Sequence, residues 1–134
     1  MKAFESALNY LKRREHTEKE LYAKLSAKGF SKDDIKEALE RLKSLNYQSD
    51  KRFAESYIRS RLSRNPEGRS VLQMRLLSKG ISSSLAKEVL DEYFGCHGEE
   101  IEEIYSEYSR KLEERKGEEK AKSTLIRKGI RKID

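Results

Sequence analysis

The sequence predicts an all-α protein built from tandem three-helix repeats, two complete and a third incomplete, in an elongated curved arrangement. Three observations predict it. Residues 25–39 read LSAKGFSKDDIKEAL, residues 76–90 read LLSKGISSSLAKEVL, and LIRKGI at 125–130 begins the same phrase again. The two full copies are in register. Leu11, Leu21, Leu25, Gly29, Ser31, Ala38, Leu39 and Leu42 recur 51 residues later as Leu62, Leu72, Leu76, Gly80, Ser82, Val89, Leu90 and Tyr93, which marks a module of about fifty residues. Finally, 35% of residues are hydrophobic and 40% charged, with one proline and seven glycines. That composition suits helices with narrow apolar stripes and few interruptions.

The first helix is predicted from Lys2 to Arg14, with Phe4, Ala7, Leu8 and Leu11 on one face. Thr17 and Glu20 have the spacing of a capping box, so a second helix runs to about Lys28 with Leu21 and Leu25 inward. Gly29 ends it, because a left-handed residue past a helix end strains glycine least. Ser31 caps a third helix with Ile35, Ala38, Leu39 and Leu42 inward, and Asn46 marks its exit. Ser49 or Asp50 opens a fourth helix with Phe53, Tyr57, Ile58 and Leu62 inward. Asn65-Pro66-Glu67-Gly68 is a turn, and Ser70 opens a fifth helix ending at Gly80. Ser82 or Ser83 opens a sixth, with Ala86, Val89, Leu90 and Tyr93 inward. Gly95-Cys96-His97-Gly98 reads as a loop. Ile101, Ile104, Tyr105, Tyr108 and Leu112 mark a long seventh helix, and an eighth ends at Gly129.

These elements divide one repeat domain, 1–134, into a first repeat at 1–48, a second at 49–95 and an incomplete third at 98–134. The third has no room for its own third helix before Asp134. Modules in a row touch mainly their neighbours.

The chain carries 30 basic and 24 acidic residues, net +6, with a pI of about 9.3. That excess favours an acidic partner. One cysteine excludes an internal disulfide and fits a reducing compartment. The opening MKAFESALNYLKRRE is too charged for a secretory signal, and no apolar run approaches a membrane span. A soluble cytoplasmic monomer is the expectation. The charge is uneven: residues 51–79 hold 8 basic and 2 acidic residues, 99–119 net −5, and 120–134 net +5. Six of the eight middle cations are arginine, whose planar fork pairs two-toothed with carboxylate or phosphate. Acidic residues at helical pairing distance are nearly absent there, so pairing within a helix does not explain them.

Nothing reads as an enzyme. Cys96 and His97 are sequence neighbours, His16 is the only other histidine, and no metal-ligand spacing or phosphate loop occurs. Neither a metal nor a cofactor is expected. Tyr57, Tyr93, Tyr105 and Tyr108 lie on inward stripes, whereas Tyr22 and Tyr47 are better placed for exposed contact.

Three segments together resemble the RecX family of bacterial regulators of the RecA recombinase: ALNYLKRREHTEKELYAKLSAKGF at 7–30, DKRFAESYIRSRL at 50–62 and LLSKGISSSLAKEVLDEY at 76–93. The resemblance is strongest from Ala7 to Tyr93. It implies tandem three-helix repeats, no catalytic site, and binding in the helical groove of RecA filaments on single-stranded DNA. It further implies inhibition, by blocking filament extension or promoting disassembly. Such inhibition restrains ATP hydrolysis, strand exchange and stimulated repressor self-cleavage. The family's third module usually has a further helix, which this sequence lacks.

The candidate contacts to the filament, to nearby DNA, or to both are Arg52, Arg59, Arg61, Arg64, Arg69, Arg75 and Lys79. Lys24 and Lys28 occupy the positions of Arg75 and Lys79 in the first module and join them. A helical nucleic-acid-binding module is the alternative. Against it, Asp33, Asp34, Glu37 and Glu40 flank one third helix and Glu88, Asp91 and Glu92 the other, a charge unsuited to a recognition helix. A helical scaffold for another partner would leave recombinase activity untouched.

Overall fold

Eight helices, and no strand, occupy the residues that the computed structural model describes, 1–131. In order they are α1 (Ala3–Arg13), α2 (Glu18–Ala27), α3 (Lys32–Ser44), α4 (Asp50–Arg64), α5 (Arg69–Ser78), α6 (Ser83–Cys96), α7 (Gly98–Lys116) and α8 (Glu118–Arg127). The expected close of the chain at Ile133-Asp134 lies outside the described residues.

Side-chain caps set the starts of α2, α3, α4 and α6. The Thr17 hydroxyl accepts from the Glu20 N–H, and the Glu20 carboxylate accepts from the Thr17 N–H, each at 3.0 Å. The hydroxyls of Ser31, Ser49 and Ser82 cap α3, α4 and α6 by accepting from the N–H groups of Asp34, Arg52 and Leu85, without the reciprocal bond; such caps contribute about 1 kcal/mol each. The recurring Lys-Gly phrase makes one kind of helix end three times. Gly29, Gly80 and Gly129 have φ of 93°, 97° and 72°. The N–H groups of the following Phe30, Ile81 and Ile130 return to the carbonyls of Leu25, Leu76 and Leu125. This is the six-to-one bond of a left-handed helix stop, with the apolar residue after glycine folded back on the helix.

Two expectations need correction. Ser70 does not open α5: Gly68 is the N-cap, without a side-chain cap. A Cβ there would lie 1.7 Å from the Gly129 carbonyl oxygen, so close backbone approach replaces the usual capping side chain. Nor do residues 95–98 form a loop. α6 continues through Gly95 and Cys96, and the chain bends only at His97 (φ −118°, ψ 25°) before α7 begins. Half-buried Phe94 and buried Ile101, packed on the same core, hold both flanks helical across the glycines.

The apolar side chains form three clusters. α1–α3 enclose Ala7, Leu21, Leu25, Ile35, Leu39 and Leu42. α4–α6 enclose Phe53, Ile58, Leu72, Leu76, Val89 and Leu90, joined by Ile101 from α7. Leu112, Ala121, Leu125 and Ile130 make the third, and Tyr105 packs against both the second and the third. The second and third modules are thus fused through apolar contact along α7.

The first and second modules are joined differently, by polar groups. The Thr17 hydroxyl donates to the Lys79 carbonyl at 2.8 Å, and the Glu18 N–H donates to the Asp50 carboxylate at 2.9 Å. The Gln48 side chain, held within the first module by the His16 carbonyl at 3.2 Å, also donates across the seam to the Asp50 carboxylate at 2.8 Å. The neutral bond from Thr17 contributes roughly 0.5–1.5 kcal/mol net and a bond to the Asp50 carboxylate roughly 1.5–3.

Candidate binding surface

The second helices of the modules meet end to end, and the two junctions are copies. Thr17, the N-cap of α2, bonds the carbonyl of Lys79, the C-cap of α5. Gly68, the N-cap of α5, donates its N–H at 2.8 Å to the carbonyl of Lys128, the C-cap of α8. At the first junction Gly80 lies against Lys19, and at the second Gly129 lies against Ser70. Thr17 and Gly68 are 51 residues apart, as are Lys19 and Ser70. The repeat therefore sets how modules dock as well as how each one folds.

Beside each junction is a polar cluster at matching positions: Tyr10, His16 and Lys24 in the first module, Arg61, Glu67 and Arg75 in the second. In the first, the Lys24 ammonium lies 2.8 Å from His16 Nε2, and the ring's Nδ1 lies 3.0 Å from the Arg14 carbonyl. Burial pushes the His16 pKa below its ordinary 6.5, and the charges of Arg14 and Lys24 add to this against the Arg14 carbonyl and Glu20. His16 is therefore neutral, donating through Nδ1 and accepting from Lys24.

In the second module, Glu67 is 2% exposed. Arg61 Nε donates to it at 2.9 Å and Arg75 Nε at 2.8 Å. Burial alone would raise this carboxyl's pKa, but the hydrogen bonds from Arg75 and Arg61 overturn that and hold it below the ordinary value. The Tyr105 hydroxyl donates to the Glu67 carbonyl at 2.7 Å. Burial, with the Glu67 charge behind it, pushes the Tyr105 pKa up to about 12.

These contacts sort the basic residues singled out from the sequence. Arg52 clasps the first module: its guanidinium pairs with Glu15 and donates to the carbonyls of Asn46 and Tyr47. Arg61 and Arg75 share Glu67. Arg69 pairs with Asp91 and lies 5.8 Å from the Phe94 ring centre. Lys24 is held by His16, and Lys28 donates to Ser6 at 3.2 Å with its ammonium 4.9 Å from the Tyr10 ring centre. Arg59 and Arg64 are exposed. Among the described residues, neither they nor the Lys79 ammonium has a carboxylate partner.

The acidic partners missing within each helix are supplied by the fold, from Glu15, Glu67 and Asp91. Glu67 was hidden in a turn signal. Its position 51 residues after His16 is the sequence signal that points to it.

The remaining candidates stand apart. Cys96 is exposed, and His97 turns to Glu100 at 3.4 Å and to the Tyr93 ring. No group of His, Cys, Asp or Glu among the described residues is arranged to hold a metal ion. Tyr22 and Tyr47 are exposed at 36% and 48%. No described helix is long and apolar enough to cross a membrane.

Comparison with known proteins matches this modular plan. Residues 3–42 match the family model for the first three-helix domain of RecX, and residues 49–90 that for the second. Regulatory protein RecX of Prosthecochloris aestuarii (strain DSM 271 / SK 413) is 42% identical over 92 residues, 69% of this chain and 61% of that protein. Its counterpart from Legionella pneumophila (strain Corby) is 45% identical over 91 residues, 68% of this chain and 60% of that protein. The matched region thus covers about three fifths of these relatives' length. The crystal structure of RecX from Lactobacillus salivarius has a TM-score of 0.80 at 28% identity, covering 96% of this chain and 86% of that one. A second crystal structure, of regulatory protein RecX, shares the fold with a TM-score of 0.78 at 23% identity, covering 96% of this chain and 67% of that one. Since both three-helix domains are matched in order, across the segments that carry the Lys-Gly phrase, the chain belongs to the RecX family.

Proposed function

We propose that this protein binds RecA filaments on single-stranded DNA in their helical groove and inhibits them, by blocking extension or promoting disassembly. Membership in a family of regulatory proteins supports the regulatory role. The observation that carries the binding mode is the copied junction. Because α2, α5 and α8 dock through equivalent residues, Lys28, Lys79 and Lys128 recur at one position per module. A partner that is itself a repeating filament can meet such a series at successive protomers. Arg59 and Arg64 on α4, exposed and without ion-pair partners among the described residues, are the first contacts to an acidic filament surface. Arg52, Arg61, Arg69 and Arg75 act mainly by holding the modules in shape. In this reading the protein has no catalytic role and works in the cytoplasm.

The test is DNA-dependent ATP hydrolysis by the cognate RecA, titrated with the wild type and with an Arg59→Glu/Arg64→Glu variant. Inhibition below one molecule per RecA, weakened in the variant, is the expected result. Unchanged hydrolysis at excess wild-type protein would sink the proposal.

A further inference from the structure

The uncommitted cations converge somewhere the sequence did not single out. An open cleft of about 420 Å³ lies where the end of α7 and one side of α8 face α5. Arg75, Arg115, Lys116, Arg127 and Lys128 line it, with Glu67 as its carboxylate. Glu67 is already taken by Arg61 and Arg75. A second cleft of about 620 Å³ shares Arg115, Lys116 and Thr124 with the first and adds Lys120. Its carboxylate, Glu119, sits in the first turn of α8, where the helix end stabilises it.

Among the described residues, none of Arg115, Lys116, Lys120, Arg127 and Lys128 has an ion pair with a carboxylate. The hydrogen-bond partners of Lys128 and Lys116 are neutral. Lys128 is held by the Tyr108 hydroxyl at 2.7 Å and the Asn65 side-chain carbonyl at 2.6 Å, with its ammonium 4.3 Å from the Tyr108 ring centre. Lys116 lies 3.4 Å from the Thr124 hydroxyl. Such partners orient an ammonium and leave its charge unneutralised. Cations that outnumber the carboxylates beside them repel one another, and an anion laid among them relieves that repulsion. The arginine forks match the geometry of phosphate oxygens. Two adjoining clefts sharing three residues make a track longer than one phosphate. A flexible single strand can lay successive phosphates into recesses of this size, whereas a rigid duplex can only graze their rims.

We propose that the cleft bounded by α5, α7 and α8 binds the phosphodiester backbone of a single nucleic-acid strand, with Arg115, Lys116, Arg127 and Lys128 as the phosphate contacts. Base identity plays no part, because the lining offers cations and hydroxyls in place of an unoccupied aromatic platform.

The experiment is fluorescence anisotropy of a labelled oligothymidylate with the full chain, no recombinase present, over a salt series. Four contacts predict a log–log salt slope of about −3, from roughly −0.7 per phosphate on a single strand. Arg115→Gln and Arg127→Gln should each reduce the slope's magnitude by about 0.7 and weaken binding several-fold at low salt. Arg13→Gln and Lys36→Gln remove equal charge from exposed positions on the first module and should leave both quantities unchanged. These are surface positions, and circular dichroism verifies that each variant is folded.

Three outcomes would overturn the proposal: no oligonucleotide binding at low salt, equal losses in the first-module variants, or displacement by inorganic phosphate at a concentration of phosphate groups equal to the strand's. The last would mean a single-anion site. Because recombinase is absent, failure here leaves the filament-inhibition reading intact, and failure of that reading leaves this one intact.

Discussion

Gly29 and Gly80 form a matched pair that isolates the junction between modules. Both follow a C-capping lysine, and both have a left-handed φ, 93° and 97°. Replacing either with alanine brings the same backbone penalty, about 1–2 kcal/mol for an L-residue in this region. Both substitutions also stiffen the unfolded chain equally, which cancels in the comparison. Their surroundings differ. A Cβ at Gly29 meets nothing within 4 Å, whereas one at Gly80 lies 2.6 Å from Lys19 Cβ and 2.7 Å from its Cδ. The Lys19 tail can swing away, but its Cβ is fixed to the first turn of α2. The helix ends must therefore part, at about 1–3 kcal/mol for overpacking of this kind. Gly80→Ala should then lose roughly 2–5 kcal/mol in all, against about 1–2 for Gly29→Ala. Urea denaturation followed by far-UV circular dichroism reads both midpoints, with equal slopes confirming comparable transitions. Equal losses, or a larger one at Gly29, would refute the end-to-end junction as a source of stability.

Two further predictions concern the polar clusters. Glu67→Gln keeps the side chain's shape but removes the charge that Arg61 and Arg75 share, so it should cost about 1.5–3 kcal/mol, the range for hydrogen bonds to charged groups. Since the folded Glu67 carboxyl titrates below its ordinary 4.5, its contribution is complete above that pH and lost as pH falls through the folded value. Acid titration of stability should show this loss in the wild type and a shallower one in the variant. His16 titrates below 6.5 in the folded chain, so the unfolded state takes up its proton first and the contribution declines as pH falls beneath 6.5. Thermal melts between about pH 7.5 and 5 should show a decline that His16→Gln flattens; an unaltered profile would mean that His16 is not held neutral.

Much of the fold was legible because its signals are local. Leu25, Gly29 and Phe30 lie within six consecutive residues and together make a helix stop, so the pattern reads directly from the chain and reads again at Leu76, Gly80 and Ile81. Thr17 and Glu20 announce their capping box at a spacing of three. Gly68 was misread because its reason is remote: it makes room for Gly129, 61 residues away. The basic surface was legible as charge but not as availability. Arg52 and Glu15 are 37 residues apart, and only folding brings them together. The excess of cations at 120–134 was visible as a number. Its junction with Arg115, Lys116 and Arg75 depends on how α7 and α8 fold back toward α5.

The end-to-end junctions have an electrostatic consequence. Each helix carries roughly half a positive charge at its N-terminus and half a negative one at its C-terminus. Where α2 meets α5, and where α5 meets α8, opposite poles face each other and largely cancel. Two poles remain unpaired in this series: the N-terminus of α8, beside Glu118 and Glu119, and the C-terminus of α2, beside Lys24. The series therefore leaves its two outer poles uncompensated by a neighbouring helix end, and these are already complemented by side chains of the right sign. A charge placed at an inner junction meets two opposed poles and gains little from either, whereas one placed beside Gly29 or Glu118 acts on a single pole.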